Sequence, residues 1–211
     1  LVAKVHFCTR AGWWMHPCSG APSAFFNARI DAHPTQETSV VQQSKQIAEN
    51  RYRESFGRYY EDFKVGDVYE HRPGRTLTQT ENIWFTLLTM NKHPIHFDEE
   101  YAKHSEFGQC IVASPFTLAV LVGMTVSDVS QKAIANLGWT DIKMTHPVFA
   151  GDTLYAETEV LSKRESGSRP NAGLVTVRTA GNNQKGEVVC TFERTILVAK
   201  QGHAVDDKAG Y

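Results

Sequence analysis

Three long segments toward the end of the chain alternate apolar and polar residues. They are "DTLYAETEVLSKRES", "LVTVRTAG" and "GEVVCTFERTILVAK", with a turn around "NNQKG" between the last two. A period of two buries one face of each segment, so the pattern predicts antiparallel strands on a shared core. A shorter apolar segment, "LGWTDIKM", precedes them. Upstream the period lengthens. In "TQTENIWFTLLTMN", Ile83, Trp84, Leu87 and Leu88 recur at helical spacing. Thr78 and Glu81 have the spacing of a capping box at the start of that helix. Pro94 disfavours helical geometry at His93, so the helix should end near Asn91 or Lys92. "FDEEYAKHSEFG" predicts a second short helix, with Asp98 as its N-cap, Glu99 and Glu100 in its first turn and Gly108 at its stop.

The segment "ASPFTLAVLVGMTVSD" carries the sharpest helix signal. Ser114 suits an N-cap and Pro115 the first helical position. Apolar residues then cover nearly every side, which predicts a helix enclosed by protein all round. Before these elements, "YYEDFKVGDVYEHRPGRTLT" has a Gly-Asp turn and an alternating stretch, which predicts short strands around "RPG". The order is strand, helices, one enclosed helix, then a run of strands, with no visible internal repeat. The fold class is α+β: a single domain whose antiparallel sheet wraps a long central helix.

The first fifty residues have a different composition. Residues 1 to 30 contain no acidic side chain but include Lys4, Arg10 and Arg29. Mitochondrial presequences share that composition, yet no clean amphipathic Arg/Ser period appears. Residues 1–50 therefore read as a poorly ordered or artefactual extension, in which the polar residues 31 to 50 form a linker leading into a short helix. The domain is expected over residues 51–200, most densely patterned over 58–199, with a tail over 201–211.

Net charge is -1 and charged residues make up 21% of the 211, so no global basic field invites nucleic acid. The apolar run "FTLAVLVGMTV" is too short to span a bilayer. The four cysteines, Cys8, Cys18, Cys110 and Cys190, lack metal-site spacing. A reducing compartment follows, hence the cytoplasm, or the mitochondrion if residues 1–30 are a presequence. Cys110 and Cys190 sit in apolar contexts and are expected to be inert thiols.

Candidate chemistry concentrates in "TMNKHPIHFD", where a helix stops at a proline beside two histidines, an asparagine and an aspartate. The stretches "YYEDFKVGDVYEH", "NKHPIHFDEEYAKHSEFGQCIVASP" and "HPVFAGDTLYAETEV" resemble the MaoC-like enoyl-CoA hydratases, which have the hotdog fold. "TMNKHPIHFD", "ANLGWTD", "KRESGSRP" and "NNQKGEVVCTFERT" resemble most the branch acting on mesaconyl-CoA and itaconyl-CoA. The resemblance covers residues 58 to 199.

It implies reversible hydration of a 2-enoyl-CoA thioester. That reaction needs a base for the attacking water, an acid for the α-carbon and a donor to the thioester oxygen. His96 takes the base position. The usual hydratase pattern has an aspartate five residues before this histidine and an asparagine two residues after that aspartate, whereas this chain has Asn91 and His93. Asn91 is expected to orient the water and His93 to share in proton transfer. Asp98 could orient the imidazole, but the "DEE" opening favours a helix cap. The resemblance places Ser114 at the helix start that supplies a main-chain N–H to the thioester carbonyl. Pro115 has no N–H, so Ser114 or Phe116 must donate. Arg164 and Arg169 are candidate readers of a second carboxylate, and Arg75 is a further candidate for that role or for CoA phosphates. No metal or other cofactor is implied, CoA being part of the substrate. The partners expected are the acyl-CoA and a second copy of the chain, as homodimer or higher homo-oligomer, since edge strands would otherwise stay open.

Three rival readings remain at this point. His93, His96 and Asp98 offer three ligand types for a metal hydrolase. A hotdog thioesterase would share the scaffold and the acyl-CoA site. Asn91 in place of an acid is also compatible with a non-catalytic acyl-CoA-binding protein.

Overall fold

A computed structural model describes residues 44–211. Its centre is one antiparallel sheet built from β3 (Val68–Thr76), β4 (Ala133–Met144), β5 (Thr153–Glu165), β6 (Ala172–Asn182) and β7 (Val188–Ala199). The spatial order is β3-β5-β6-β7-β4. A separate hairpin pairs β1 (Ser44–Ala48) with β2 (Arg51–Glu54). The helices are α1 (Gln79–Thr89), α2 (Glu99–Ala102), α3 (Ser114–Met124) and α4 (Val205–Ala209). None of the described helices is long and apolar enough to cross a membrane.

β5 and β6 alternate as the sequence predicts, with Leu154, Ala156 and Val160 of β5 and Val175 and Val177 of β6 turned inward. β7 adds Cys190, Phe192 and Ile196 to the same face. α3 lies on that face. Leu121 is fully buried against Gly181 of β6, where any Cβ would overlap it. One apolar cluster joins Leu77, Val112, Leu121, Leu154 and Phe192 around α3, and a second joins Tyr60, Phe63, Val160 and Val198. Polar groups interrupt the inner face. His71 Nε2 is 2.8 Å from Thr158 Oγ1, which is 2.9 Å from Thr179 Oγ1. Arg194 is 1% exposed and donates to Thr125 Oγ1 at 2.9 Å, just past the end of α3. Its Nε and Nη1 are buried without a hydrogen-bond partner among the described residues.

Several expectations change. The helix expected within residues 31 to 50 is strand over Ser44–Ala48, turned into β2 through Asn50 at φ 55; asparagine tolerates this left-handed geometry. The rest of that stretch, the composition-based reading of residues 1–30 and the linker lie outside the described residues. The C-terminal tail docks on the domain: Ala204 is buried and Tyr59 donates to Asp207 at 2.6 Å. α2 ends at Ala102, well before Gly108, which sits in a turn at φ 66.

The apolar stripe of α1 does not face the core. Trp84, Leu87 and Leu88 are exposed, whereas Asn82 and Thr86 are buried. α1 packs over main-chain carbonyls, which call for donors rather than methyl groups. α3 is covered on one side only: Thr117 and Leu121 are buried, Ala119 and Gly123 exposed. A single sheet cannot enclose a helix. β4, one of the two edge strands, likewise leaves Ile134, Leu137, Trp139, Ile142 and Met144 exposed.

Candidate active site

α1 begins with the expected capping box: Thr78 Oγ1 accepts from Glu81 N–H, and Glu81 accepts from Thr78 N–H. It ends at Met90, whose left-handed φ of 57 reverses the chain. Asn91 N–H then returns to the Thr86 carbonyl at 3.0 Å. Pro94 starts a short 3-10 turn, Pro94–His96, that brings the rings of His93 and His96 near each other. Their centroids are 5.9 Å apart.

The main chain sets different proton positions on the two rings. His96 Nδ1 lies 2.9 Å from the Ile111 carbonyl. A carbonyl only accepts, so Nδ1 carries the hydrogen and neutral His96 has its lone pair on Nε2. His93 Nδ1 accepts the Ile95 N–H at 3.2 Å. Neutral His93 therefore holds its hydrogen on Nε2. Two adjacent imidazoles thus expose one acceptor and one donor. Asn91 Oδ1 accepts the His93 main-chain N–H at 3.1 Å, which leaves its amide N–H groups available. His93 is exposed, and Asn91 and His96 are half-buried.

Asn82, 0% exposed, joins this turn to the start of α3. Its Nδ2 donates to the carbonyls of His96 (2.9 Å) and Ile111 (3.1 Å), and its Oδ1 accepts the Ala113 N–H at 2.9 Å. Gln79 Nε2 adds a second donor to the His96 carbonyl at 2.8 Å. Phe85 stacks on Phe116 at 5.1 Å between ring centroids, fixing α1 to the first turn of α3. The signal for Asn82 was present in the sequence, as a short amide inside a helix; the stripe of large apolar neighbours hid it.

α3 starts one residue earlier than expected. Ala113 is its N-cap and Ser114 its first residue, with Pro115 second. The Asn82 amide takes the Ala113 N–H from outside, so no local capping side chain is used. Phe116 N–H donates to the Ala113 carbonyl at 2.8 Å and is committed. Ser114 N–H, in the first turn of the helix, has no intrahelical acceptor. Of the two expected donors to a developing oxyanion, Ser114 is the one left free by geometry, at the positive end of the helix dipole.

The remaining candidates are elsewhere. Asp98 caps α2, accepting the Tyr101 N–H at 3.0 Å. Arg75 is paired with Glu81. Arg164 stands eleven residues along β5 from Thr153, about 36 Å of strand. Arg169 lies in the turn beyond it, where its N–H bonds Ser166 Oγ at 3.2 Å. Within one chain these two arginines are at the end of β5 away from His96, so the chain's own fold does not bring them to the histidines. His93, His96 and Asp98 point to separate partners, and among the described residues no cluster of three or more His, Cys, Asp or Glu is arranged to hold a metal. Burial raises the Cys190 thiol to about 11 and also raises Cys110, so both stay protonated near neutral pH.

A family model described as Mesaconyl-CoA hydratase matches residues 38–210. The Mesaconyl-CoA hydratase of Cereibacter sphaeroides is 34% identical over 148 residues, covering 70% of this chain and 43% of that protein. The crystallised MaoC-like dehydratase from Rhodospirillum rubrum is 30% identical with a TM-score of 0.62, covering 69% of this chain and 99% of that one. A Mycobacterium tuberculosis protein with a double hotdog fold is 22% identical with a TM-score of 0.64, over 69% of this chain and 45% of that one, a likeness of fold alone. This chain spans less than half the length of the curated relative. The sheet order around α3, the proline-turned histidine and the match over residues 38–210 agree: the chain belongs to the mesaconyl-CoA hydratase family of MaoC-like hotdog proteins.

Proposed function

We propose that this protein catalyses reversible hydration of a 2-enoyl-CoA thioester with a short branched dicarboxylic acyl group, such as mesaconyl-CoA. The observation that carries this reading is the Asn82 bridge. One side chain ties the backbone of His96 to the residue before Ser114, so the histidine turn and the start of α3 are held side by side. In the forward direction His96 Nε2 takes a proton from water as the oxygen attacks the β-carbon. The Asn91 amide orients that water. Ser114 N–H stabilises the negative charge that moves to the thioester oxygen. The imidazolium formed at His96 then gives that proton to the α-carbon, and His93, with Nε2–H outward, donates a hydrogen bond to the attacking oxygen, so both rings end the cycle neutral. The scheme asks for no metal or redox group, and CoA belongs to the substrate. The names of the curated relatives, Mesaconyl-CoA hydratase and Beta-methylmalyl-CoA dehydratase, support the diacid.

The working unit in this reading is a homodimer. A second copy would cover the exposed row on β4 and the open side of α3, beside the pocket. Cys110 and Cys190 are not joined in a disulfide, which suits a reducing compartment, and the cytoplasm is the place of action we infer.

The test is a turnover panel of crotonyl-, mesaconyl- and itaconyl-CoA, following enoyl absorbance and free thiol together. Hydration removes the absorbance without releasing thiol, and His96→Ala abolishes it. Thiol release would assign a thioesterase, and tight binding without turnover an acyl-CoA-binding protein.

A further inference from the structure

We propose that His146 reads the second carboxylate of the acyl group, an assignment that deepens the function proposed above and rests on it. A cavity of about 230 Å³ opens beside the first turn of α3, lined by Ile111, Ser114, Thr117, Met144, Thr145 and His146 among others. Ser114 and Ile111 connect it directly to the histidine turn: the first holds the free N–H, the second the carbonyl that anchors His96. His146 is the one ionisable side chain in the lining.

Its ring is positioned by β7. Nδ1 lies 2.7 Å from the Val188 carbonyl, which also accepts the Thr145 hydroxyl. Thr145 N–H bonds the Val189 carbonyl at 3.0 Å, and the Val148 carbonyl accepts Val112 N–H at 2.8 Å, so the loop bearing His146 is tied to the sheet and to the approach to α3. The carbonyl fixes the hydrogen on Nδ1 and leaves Nε2 for a ligand. As imidazolium, His146 offers Nε2–H to one carboxylate oxygen while Nδ1–H stays on Val188. Thr117 and Ser114 hydroxyls line the same space and can serve the other oxygen. No acidic side chain in the lining opposes an anion. The arginines expected for this task, Arg164 and Arg169, lie at the far end of β5 within the chain.

The test is calorimetric binding of two saturated thioesters with one carbon skeleton, methylsuccinyl-CoA and 2-methylbutyryl-CoA, to the full chain. They differ only in a terminal carboxylate in place of a methyl group. The wild type is expected to prefer the diacid by about tenfold or more, as one charge-assisted hydrogen bond supplies. His146→Leu should weaken the diacid alone and erase the preference; His146→Arg should keep it. Equal weakening of both ligands by His146→Leu would place the contact on CoA and overturn the inference, as would an unchanged preference. Equal binding of both ligands by the wild type would overturn the inference while leaving the acyl-CoA reading intact. Binding of neither would overturn that reading, and the inference with it.

Discussion

Asn82 donates to the main-chain carbonyl of His96 at 2.9 Å from a position with no solvent exposure. The residue that holds His96, the proposed base, is thus a neutral amide on a neighbouring helix, not a carboxylate on the ring. Truncating it strands the Ala113 N–H and removes a donor from two carbonyls. Asn82→Ala is expected to cost about 1–3 kcal/mol of stability and to lower kcat. Asn82→Asp should be at least as damaging despite its matching shape, because it sets a carboxylate oxygen against the His96 and Ile111 carbonyls. Urea denaturation beside turnover measures both effects.

The two imidazoles should separate by kinetics. His96→Ala removes the base and is expected to lower kcat by about 10²–10⁴-fold, the usual worth of a positioned general base. His93→Ala should also lower kcat, by about 10²-fold, with KM little changed in both. Steady-state kinetics on mesaconyl-CoA provides the check, and wild-type kcat in either variant would remove that residue from the scheme.

His71 gives stability an acid limb. Burial holds its protonation below the ordinary 6.5, with Arg194, Arg58 and Arg72 adding to the effect and Asp128 opposing it. The unfolded chain takes the proton near 6.5 and the folded chain only at lower pH. Between those values the unfolded state binds more protons, so stability rises with pH. The contribution is complete above the unfolded value and is lost as pH falls through the window below it. His71→Gln keeps a partner for Thr158 and should flatten this slope, whose ceiling is about 1.4 kcal/mol per pH unit for one proton. Denaturation midpoints from pH 7.5 down to about 5.5 cover the ordinary histidine range.

Among the described residues, Arg194 is held in the core by one hydrogen bond to Thr125, with two nitrogens unpartnered, and burial lowers its proton affinity. Replacing such a cation with an apolar side chain of similar length removes a desolvation cost. Arg194→Met is therefore expected to keep or raise stability, by about 1 kcal/mol, whereas Arg194→Ala leaves a cavity and should cost about 2–4 kcal/mol. The pair separates charge from volume in one thermal unfolding series.

Period-two alternation in β5, β6 and β7 was legible because a sheet with one covered face imposes it residue by residue. The break at Pro94 and the caps at Thr78 and Asp98 were legible because they are local. The face of α1 was not. Its apolar stripe at Trp84, Leu87 and Leu88 satisfies every periodic rule for a core, yet the inward face is set by carbonyls from residues 96 and 111, distant in sequence. The hairpin at 44–54 escaped because its strands carry mostly polar side chains, which period alone cannot tell from a linker. The site was legible as a motif and as a helix start; the amide joining them was not, since Asn82 gains its partners only when three segments meet.

The Ile111 oxygen accepts both the His96 ring and the Asn82 amide. As a main-chain atom it is supplied by any amino acid at position 111. Drift there can reshape the acyl cavity, which that side chain lines, while the imidazole keeps its anchor. In the function proposed above, acyl range could therefore change at this one residue without disturbing the position of the His96 ring.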